Sequence, residues 1–277
     1  MAAKKNHTDW LKRTWEKVKT ADGKTVAIYE LKVDTADAVT LKAWAKHFRE
    51  HYCLDSQIDD LRDGTKKTRA QYLNDLVFPD KLPGLGPATR SGDFAEILIA
   101  DLLEYQLGYW TPRTRYADKL TRNESPKGTD VMGFKFNHPS GHAKPSKKDE
   151  LITFESKAQL SGKTYQGKLQ EAVEHSAKDV YRMAESLNAM KRRLLNTGNA
   201  IGVERVQRFQ DGMETPYIRV SGAAAILCSS VYDAKEIASK TDCSNHENLG
   251  NLMLVVVHAE ALMGFVHALY ERAAHEA

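Results

Sequence analysis

Only three cysteines occur in the chain, Cys53, Cys228 and Cys243, and none stands at CxxC spacing. An odd count without paired spacing argues against a disulfide framework and fits a reducing cytoplasm. The opening residues, Met-Ala-Ala-Lys-Lys-Asn-His, lack the apolar stretch of a secretory signal. Long hydrophobic runs are missing too. The most apolar segment, residues 252–269, is interrupted by His258, Glu260 and His267, so it is expected as a buried strand and helix, not a membrane span. Neither sign of charge dominates. A net charge of +3 is compatible with nucleic-acid binding but does not argue for it.

Several familiar signatures are absent as well. Gly23-Lys24-Thr25 resembles the end of a phosphate-binding loop, but position 18 is Val where the upstream glycine belongs. Gly84-Leu85-Gly86 follows no strand and opens no dinucleotide motif. His138 with His142, and Cys243 with His246, have no partners at zinc-site spacing. No Gly-x-Ser-x-Gly elbow occurs, so nothing points to a serine hydrolase. His175 lies four residues before Asp179 and reads as a surface pair.

What is present is an ordinary globular composition, 42% apolar and 28% charged over 277 residues, enough for one large domain or a core with a smaller companion. Residues 8–19 carry apolar positions at helical spacing, with Trp10, Leu11, Trp15 and Val18 expected inward. A β-branched strand is expected over 25–33, and helices over 35–51 and 65–76. The Pro/Gly-rich run 79–87 breaks regular structure and divides an N-terminal α+β portion, 1–84, from a second domain, 85–277. Beyond it the pattern predicts an apolar helix over 91–109, strands over 128–136 and 151–160, and an exposed loop between them at 137–149. A long helix follows over 163–195, then strands over 223–229 and 252–258 and a C-terminal helix from about 260. That order specifies an α/β fold with a central mixed sheet flanked by helices.

The chemistry concentrates on the strand Leu151-Ile-Thr-Phe-Glu155-Ser156-Lys157. Side chains alternate along a strand, so Glu155 and Lys157 share one face. Asp130, heading the preceding strand, reaches Glu155 if the two strands pair as a long hairpin. Two carboxylates with a strand carbonyl, here at Ser156, form a hard oxygen cluster suited to Mg²⁺. Lys157 then orients the water that such an ion acidifies. The acid-any-Lys pattern occurs four times, at Asp22/Lys24, Glu30/Lys32, Glu155/Lys157 and Asp233/Lys235, so spacing alone does not decide. Glu30/Lys32, on its own strand, competes directly; the Gly128-Thr129-Asp130 turn favours the later set. Glu96, in Ser91-Gly-Asp-Phe-Ala-Glu96, is either a third carboxylate reaching the metal or the capping-box partner of an N-cap Asp93. Lys163, Lys168 and Gln170, after the second strand, are candidate DNA-backbone contacts or simply a solvated face.

Ser91-Gly-Asp-Phe-Ala-Glu96, Lys127-Gly-Thr-Asp130 and Phe154-Glu-Ser-Lys157, in that order, resemble the HamA nuclease subunits of the Hachiman anti-phage system, within the PD-(D/E)XK superfamily. The resemblance covers residues 85–277 best. It implies a restriction-endonuclease-like core in which Asp130 and Glu155 bind Mg²⁺, with Mn²⁺ substituting, and Lys157 is the catalytic lysine. Glu96 would be the first-helix acid that some members use. Thr129 stands where the superfamily's name has Pro, and the 24 residues between Asp130 and Glu155 make a long connection. The implied partners are DNA, cut with little sequence preference, and a HamB-like superfamily 2 helicase that restrains the nuclease. Two other functions stay open: a non-catalytic nuclease-like adaptor of a helicase, and a sequence-specific restriction endonuclease.

Overall fold

The computed structural model describes residues 6–82, 84–117, 119–138 and 140–277. The first five residues, and Pro83 within the breaking run, lie outside them. Strands β1 (Leu11–Arg13), β2 (Val18–Lys19) and β3 (Thr25–Leu31) come first. Helices α1 (Ala38–Glu50), α2 (Ile58–Arg62), α3 (Arg69–Tyr72) and α4 (Gly86–Asp101) lead to β4 (Val131–Lys135) and β5 (Glu150–Gln159). Then follow α5 (Lys168–Ser176), α6 (Asp179–Asn196), α7 (Ala200–Gln207) and β6 (Ile218–Cys228). The chain ends with α8 (Ala234–Lys240), β7 (Leu252–Ala259) and α9 (Leu262–His275).

Among the described residues one mixed sheet is ordered β1-β3-β7-β6-β5-β4, with β2 sharing the outer edge of β3. The four inner strands β3, β7, β6 and β5 are mutually parallel; β4 and the short β1 and β2 run antiparallel at the two edges. Residues 223–227 of β6 and 254–257 of β7 are buried throughout. Parallel strands covered on both faces read as unbroken apolar runs, and these two do. Burying each of their larger side chains contributes about 1.5–3 kcal/mol. Beside them, the Phe154 ring lies against Gly222, where a Cβ would fall 2.3 Å from the ring. At the outer edge of β4, Phe134 forms a bridge with Trp110.

The sheet crosses the expected boundary at residues 84 and 85. β3 pairs with β7 from Val26↔Leu254 to Glu30↔His258, and α1 packs on α9. A buried charge group reinforces this junction. The carboxylate of Asp101, wholly buried at the end of α4, lies 2.8 Å from His7 Nε2, His47 Nε2 and Arg113 Nη1. It ties the first described residues to α1 and α4.

Four expectations need correction. Residues 8–19 are not a helix: a short 3₁₀ turn over His7–Trp10 gives way to β1 and β2, because Leu11 and Val18 find hydrogen-bonded partners on β3. Trp10, Leu11 and Val18 are buried as expected, but Trp15, in the connection between β1 and β2, is 91% exposed. The helix expected over 91–109 begins at Gly86, inside the Pro/Gly run, with Pro87 in the first turn where its missing N–H costs no bond. It closes through a π turn at Leu102–Gln106. The helix expected over 163–195 is two helices, α5 and α6, parted at Ala177 and Lys178, with Gly167 in the left-handed region (φ 67°) just before α5.

Replacing Gly222 by Ala should therefore force a Cβ into the Phe154 ring and cost about 1–3 kcal/mol in urea unfolding. Gly264→Ala, facing open space on α9, should leave stability unchanged or raise it by up to about 1 kcal/mol. Equal stability of the two variants would refute the close packing of β5 on β6.

Candidate active site and metal centre

The antiparallel register of β4 on β5 runs from Lys135↔Glu150 to Val131↔Phe154. Continued by one residue, it sets Asp130 opposite Glu155. Gly128, with φ at 105°, makes the turn that delivers Thr129 and Asp130 to this position, a backbone conformation that side-chain-bearing residues rarely adopt. Because β4 has ended, the Ser156 N–H finds no strand partner there and donates instead to Asp130 Oδ2 at 3.1 Å. A strand residue projects its N–H and C=O to the same side, so the Ser156 carbonyl faces this same vacated edge. The Ser156 hydroxyl is buried and has no hydrogen-bond partner.

Strand alternation brings the Lys157 ammonium to Glu155 Oε1 at 2.8 Å. His175 Nδ1, from α5, lies 3.3 Å from the same oxygen, so His175 is part of the site and not the surface partner of Asp179 expected from spacing. Glu171 of α5 approaches Lys157 at 3.9 Å and holds Lys168 at 2.7 Å. Asp130, Glu155, Ser156, Lys157 and Lys168 line one open cleft of about 1190 Å³, together with Glu96, Arg115 and Arg182.

Glu96 is buried on α4 and faces the cleft. It accepts a short hydrogen bond from Tyr116 Oη, and Arg115 Nε lies 2.7 Å from its Oε2. Burial pushes the Glu96 carboxyl well up, while the arginine beside it pulls the other way. An arginine does not give up its proton in proteins, and at 2.7 Å it favours the ionised carboxylate. The capping-box reading of Glu96 fails. Asp93 lies well inside α4, fully buried, and binds Tyr52 Oη at 2.7 Å and the Lys119 ammonium.

Arg115 also reaches Asp130 Oδ1, Nη2 donating at 3.0 Å. Even so, burial and the nearby Glu155 carboxylate push Asp130 up. A second acid, Asp179 at the start of α6, accepts from the Thr129 hydroxyl at 3.2 Å and lies 3.4 Å from Arg182. Its other oxygen is buried without a partner. Burial, then Glu155, lifts it to about 7. Arg115, Asp179 and His175 are the site residues that sequence reasoning missed. None has a local spacing to Asp130 or Glu155 that would expose it; they meet only through the fold.

Of the remaining candidates, Lys168 lines the cleft and Lys163 is exposed before α5. Gln170 is engaged elsewhere, its Nε2 donating to Glu174 and its Oε1 accepting from the Asp242 N–H. The competing set does not assemble: Glu30 and Lys32 form a surface pair at 2.9 Å, while Asp22 accepts from the Thr20 hydroxyl and the Cys243 N–H. Glu96, Asp130 and Glu155 do not bring three carboxylate oxygens within 4.8 Å of one another. Among the described residues only His7, His47 and Asp101 meet that distance, and there Arg113 already lies against the carboxylate.

The donor set at the cleft fits a hard divalent ion. Two opposed carboxylates, Asp130 and Glu155, share a vacated strand edge with a carbonyl. The lifted Asp130 carboxyl marks a deficit of positive charge that such an ion would relieve.

Because Asp179 titrates near 7 when folded and near its ordinary 3.8 when unfolded, the folded chain binds more protons between these values. Stability contributed by this group is present at low pH and lost as pH rises towards 7. In metal-free buffer, Asp179→Asn should raise Tm relative to wild type at pH 8, with a ceiling of about 4 kcal/mol. The gain should shrink towards nothing by pH 4. A gain independent of pH would exclude this origin.

Beyond the geometry, a comparison with known families identifies one match. The HamA family model aligns with residues 5–273, nearly the whole chain. No curated protein matches the chain. Among the described residues no helix is long and apolar enough to cross a membrane. Spanning both the N-terminal strands and the cleft that β4 and β5 form, this match identifies the chain as a member of the HamA family.

Proposed function

We propose that the chain is a Mg²⁺-dependent deoxyribonuclease with a PD-(D/E)XK core. In this reading it is the effector of a Hachiman anti-phage complex, works in the cytoplasm and cuts DNA with little sequence preference. A HamB-like superfamily 2 helicase holds it in check until DNA is delivered. One observation carries the catalytic part: Asp130 faces Glu155 at the end of β4, with the Lys157 ammonium 2.8 Å from Glu155 inside an open cleft. HamA membership supports the defence context.

Asp130, Glu155 and the Ser156 carbonyl would hold the ion. When bound, it supplies Lewis acidity to the phosphodiester and lowers the pKa of water. The chain's own groups do the rest. Glu155 fixes the Lys157 ammonium, which orients the attacking water and offsets charge developing on the phosphoryl oxygens. His175 and Lys157 both lie against Glu155 Oε1, fixing that carboxylate in one orientation. Lys168 on the cleft wall and the exposed Lys163 before α5 meet the DNA backbone. Contacts of that kind position a duplex without reading its bases, which accords with low sequence preference.

Glu155→Ala and Lys157→Ala should each lower plasmid degradation by about 100-fold or more while leaving the fold and helicase binding intact. Glu30→Ala and Lys32→Ala should leave it unchanged; the reverse pattern would move the site to β3. Mg²⁺ or Mn²⁺ should raise the Tm of wild type but not of Asp130→Ala. A smear from a mixed plasmid substrate is expected, and discrete bands would reject low specificity.

A further inference from the structure

The cleft contains a cation of the chain's own, held among oxygens. Arg115 has only 14% of its side chain exposed and lies between Glu96 and Asp130. Its Nε is 2.7 Å from Glu96 Oε2 and its Nη2 is 3.0 Å from Asp130 Oδ1. Nη1 donates to the Thr129 carbonyl, and Nη2 also donates to the Pro126 carbonyl at 2.8 Å. The guanidinium thus meets two carboxylates and two backbone carbonyls, the oxygen set that a hard divalent ion would otherwise take. It is also fixed. The two carbonyls belong to the turn that carries Asp130, so withdrawing Arg115 would undo the turn's own bonding.

The contact with Glu96 is one of charge more than of hydrogen bonding, since the Nε–H is not directed at an acceptor even though Oε2 is close. Meanwhile Asp130 Oδ2 turns the other way, towards β5 and Ser156. Asp130 therefore has two flanks. One, shared with Glu155 and the Ser156 backbone, carries no arginine contact, the Lys157 ammonium there lying on Glu155 Oε1; the other, shared with Glu96, has a guanidinium set directly between the two carboxylates. Glu96, Asp130 and Glu155 do not bring three carboxylate oxygens within 4.8 Å of one another.

Resting on the metal-dependent reading above, we propose that Arg115 occupies the second-cation position of this site, so that the chain binds one divalent ion, between Asp130 and Glu155, and Glu96 serves Arg115 and not that ion. A divalent ion on the Glu96 flank would sit against a guanidinium only 14% exposed, beside a buried carboxylate, where like charges repel strongly. Arg115 is accordingly a positioning residue. It holds the Asp130 turn and sets the number of ions.

Binding stoichiometry tests this without reference to catalysis. Titrated with Mn²⁺ and followed by the electron-spin signal of the free ion, the full-length protein should bind one ion per chain. Arg115→Met, of similar length but uncharged, should bind two, the second more weakly, and Arg115→Met/Glu96→Gln should return to one. Two ions on wild type, or one on Arg115→Met with its circular dichroism unchanged, would overturn the inference while leaving the metal-dependent reading intact. No ion on wild type would overturn both. If Arg115→Met fails to fold, Glu96→Gln alone decides. Its single-ion Kd should stay within about threefold of wild type, whereas a tenfold weakening would make Glu96 a ligand and sink the proposal.

Discussion

The end of one strand governs this site. β4 stops at Val131 while β5 runs on, and the ladder position vacated beside Glu155 and Ser156 is taken by the side chain of Asp130. Backbone hydrogen-bonding groups near a core must be satisfied. Here the Ser156 N–H is satisfied by a carboxylate rather than by another strand. That single substitution of partners fixes Asp130, aims it at Glu155, and leaves a carbonyl facing the same point. A slip of one residue in the β4–β5 register would put Glu155 and Lys157 together on the face opposite Asp130.

Around this edge the structure gathers more charge than a buried region ordinarily tolerates. Asp93 is met by Lys119, Glu96 and Asp130 by Arg115, Glu155 by Lys157 and His175, and Asp179 by Arg182. Each lysine and arginine offsets part of the desolvation cost of its acid, but the offset is incomplete: Asp130 and Asp179 remain lifted. Imbalance of this kind concentrates at functional sites, where a ligand completes the compensation. The Asp101 group differs. Its carboxylate is held well below the ordinary range, with Arg113 and two histidines offsetting the burial that opposes them, and it acts as a fastening between the N-terminal segment and α4.

Legibility in the sequence followed the range of the interactions. The adjacency of Glu155 and Lys157 follows from the two-residue period of a strand, and the apolar runs of β6 and β7 announce covered parallel strands. The Gly128-Thr129-Asp130 turn marks where β4 is launched. What failed was whatever a distant partner decides. Residues 8–19 have helical spacing, yet β3 claims Leu11 and Val18 as ladder partners. Asp93 has the spacing of a cap, yet α4 starts seven residues earlier because Pro87 suits a first turn. The break between α5 and α6 falls in a stretch without Gly or Pro. Arg115 sits in an irregular segment with no motif of its own, and its place between Glu96 and Asp130 exists only after α4 has packed against β5.

The two rims of the sheet share one property. On one side β3 is covered by the short β1 and β2, three and two residues long, with the exposed Trp15 in the connection between them. On the other, β4 is only five residues long and part of its free side is already bonded to Trp110. Among the described residues neither rim offers a long flat row of unpaired amides to a neighbouring molecule. At high local concentration the fold thus resists the strand-to-strand adhesion that leads to fibrils.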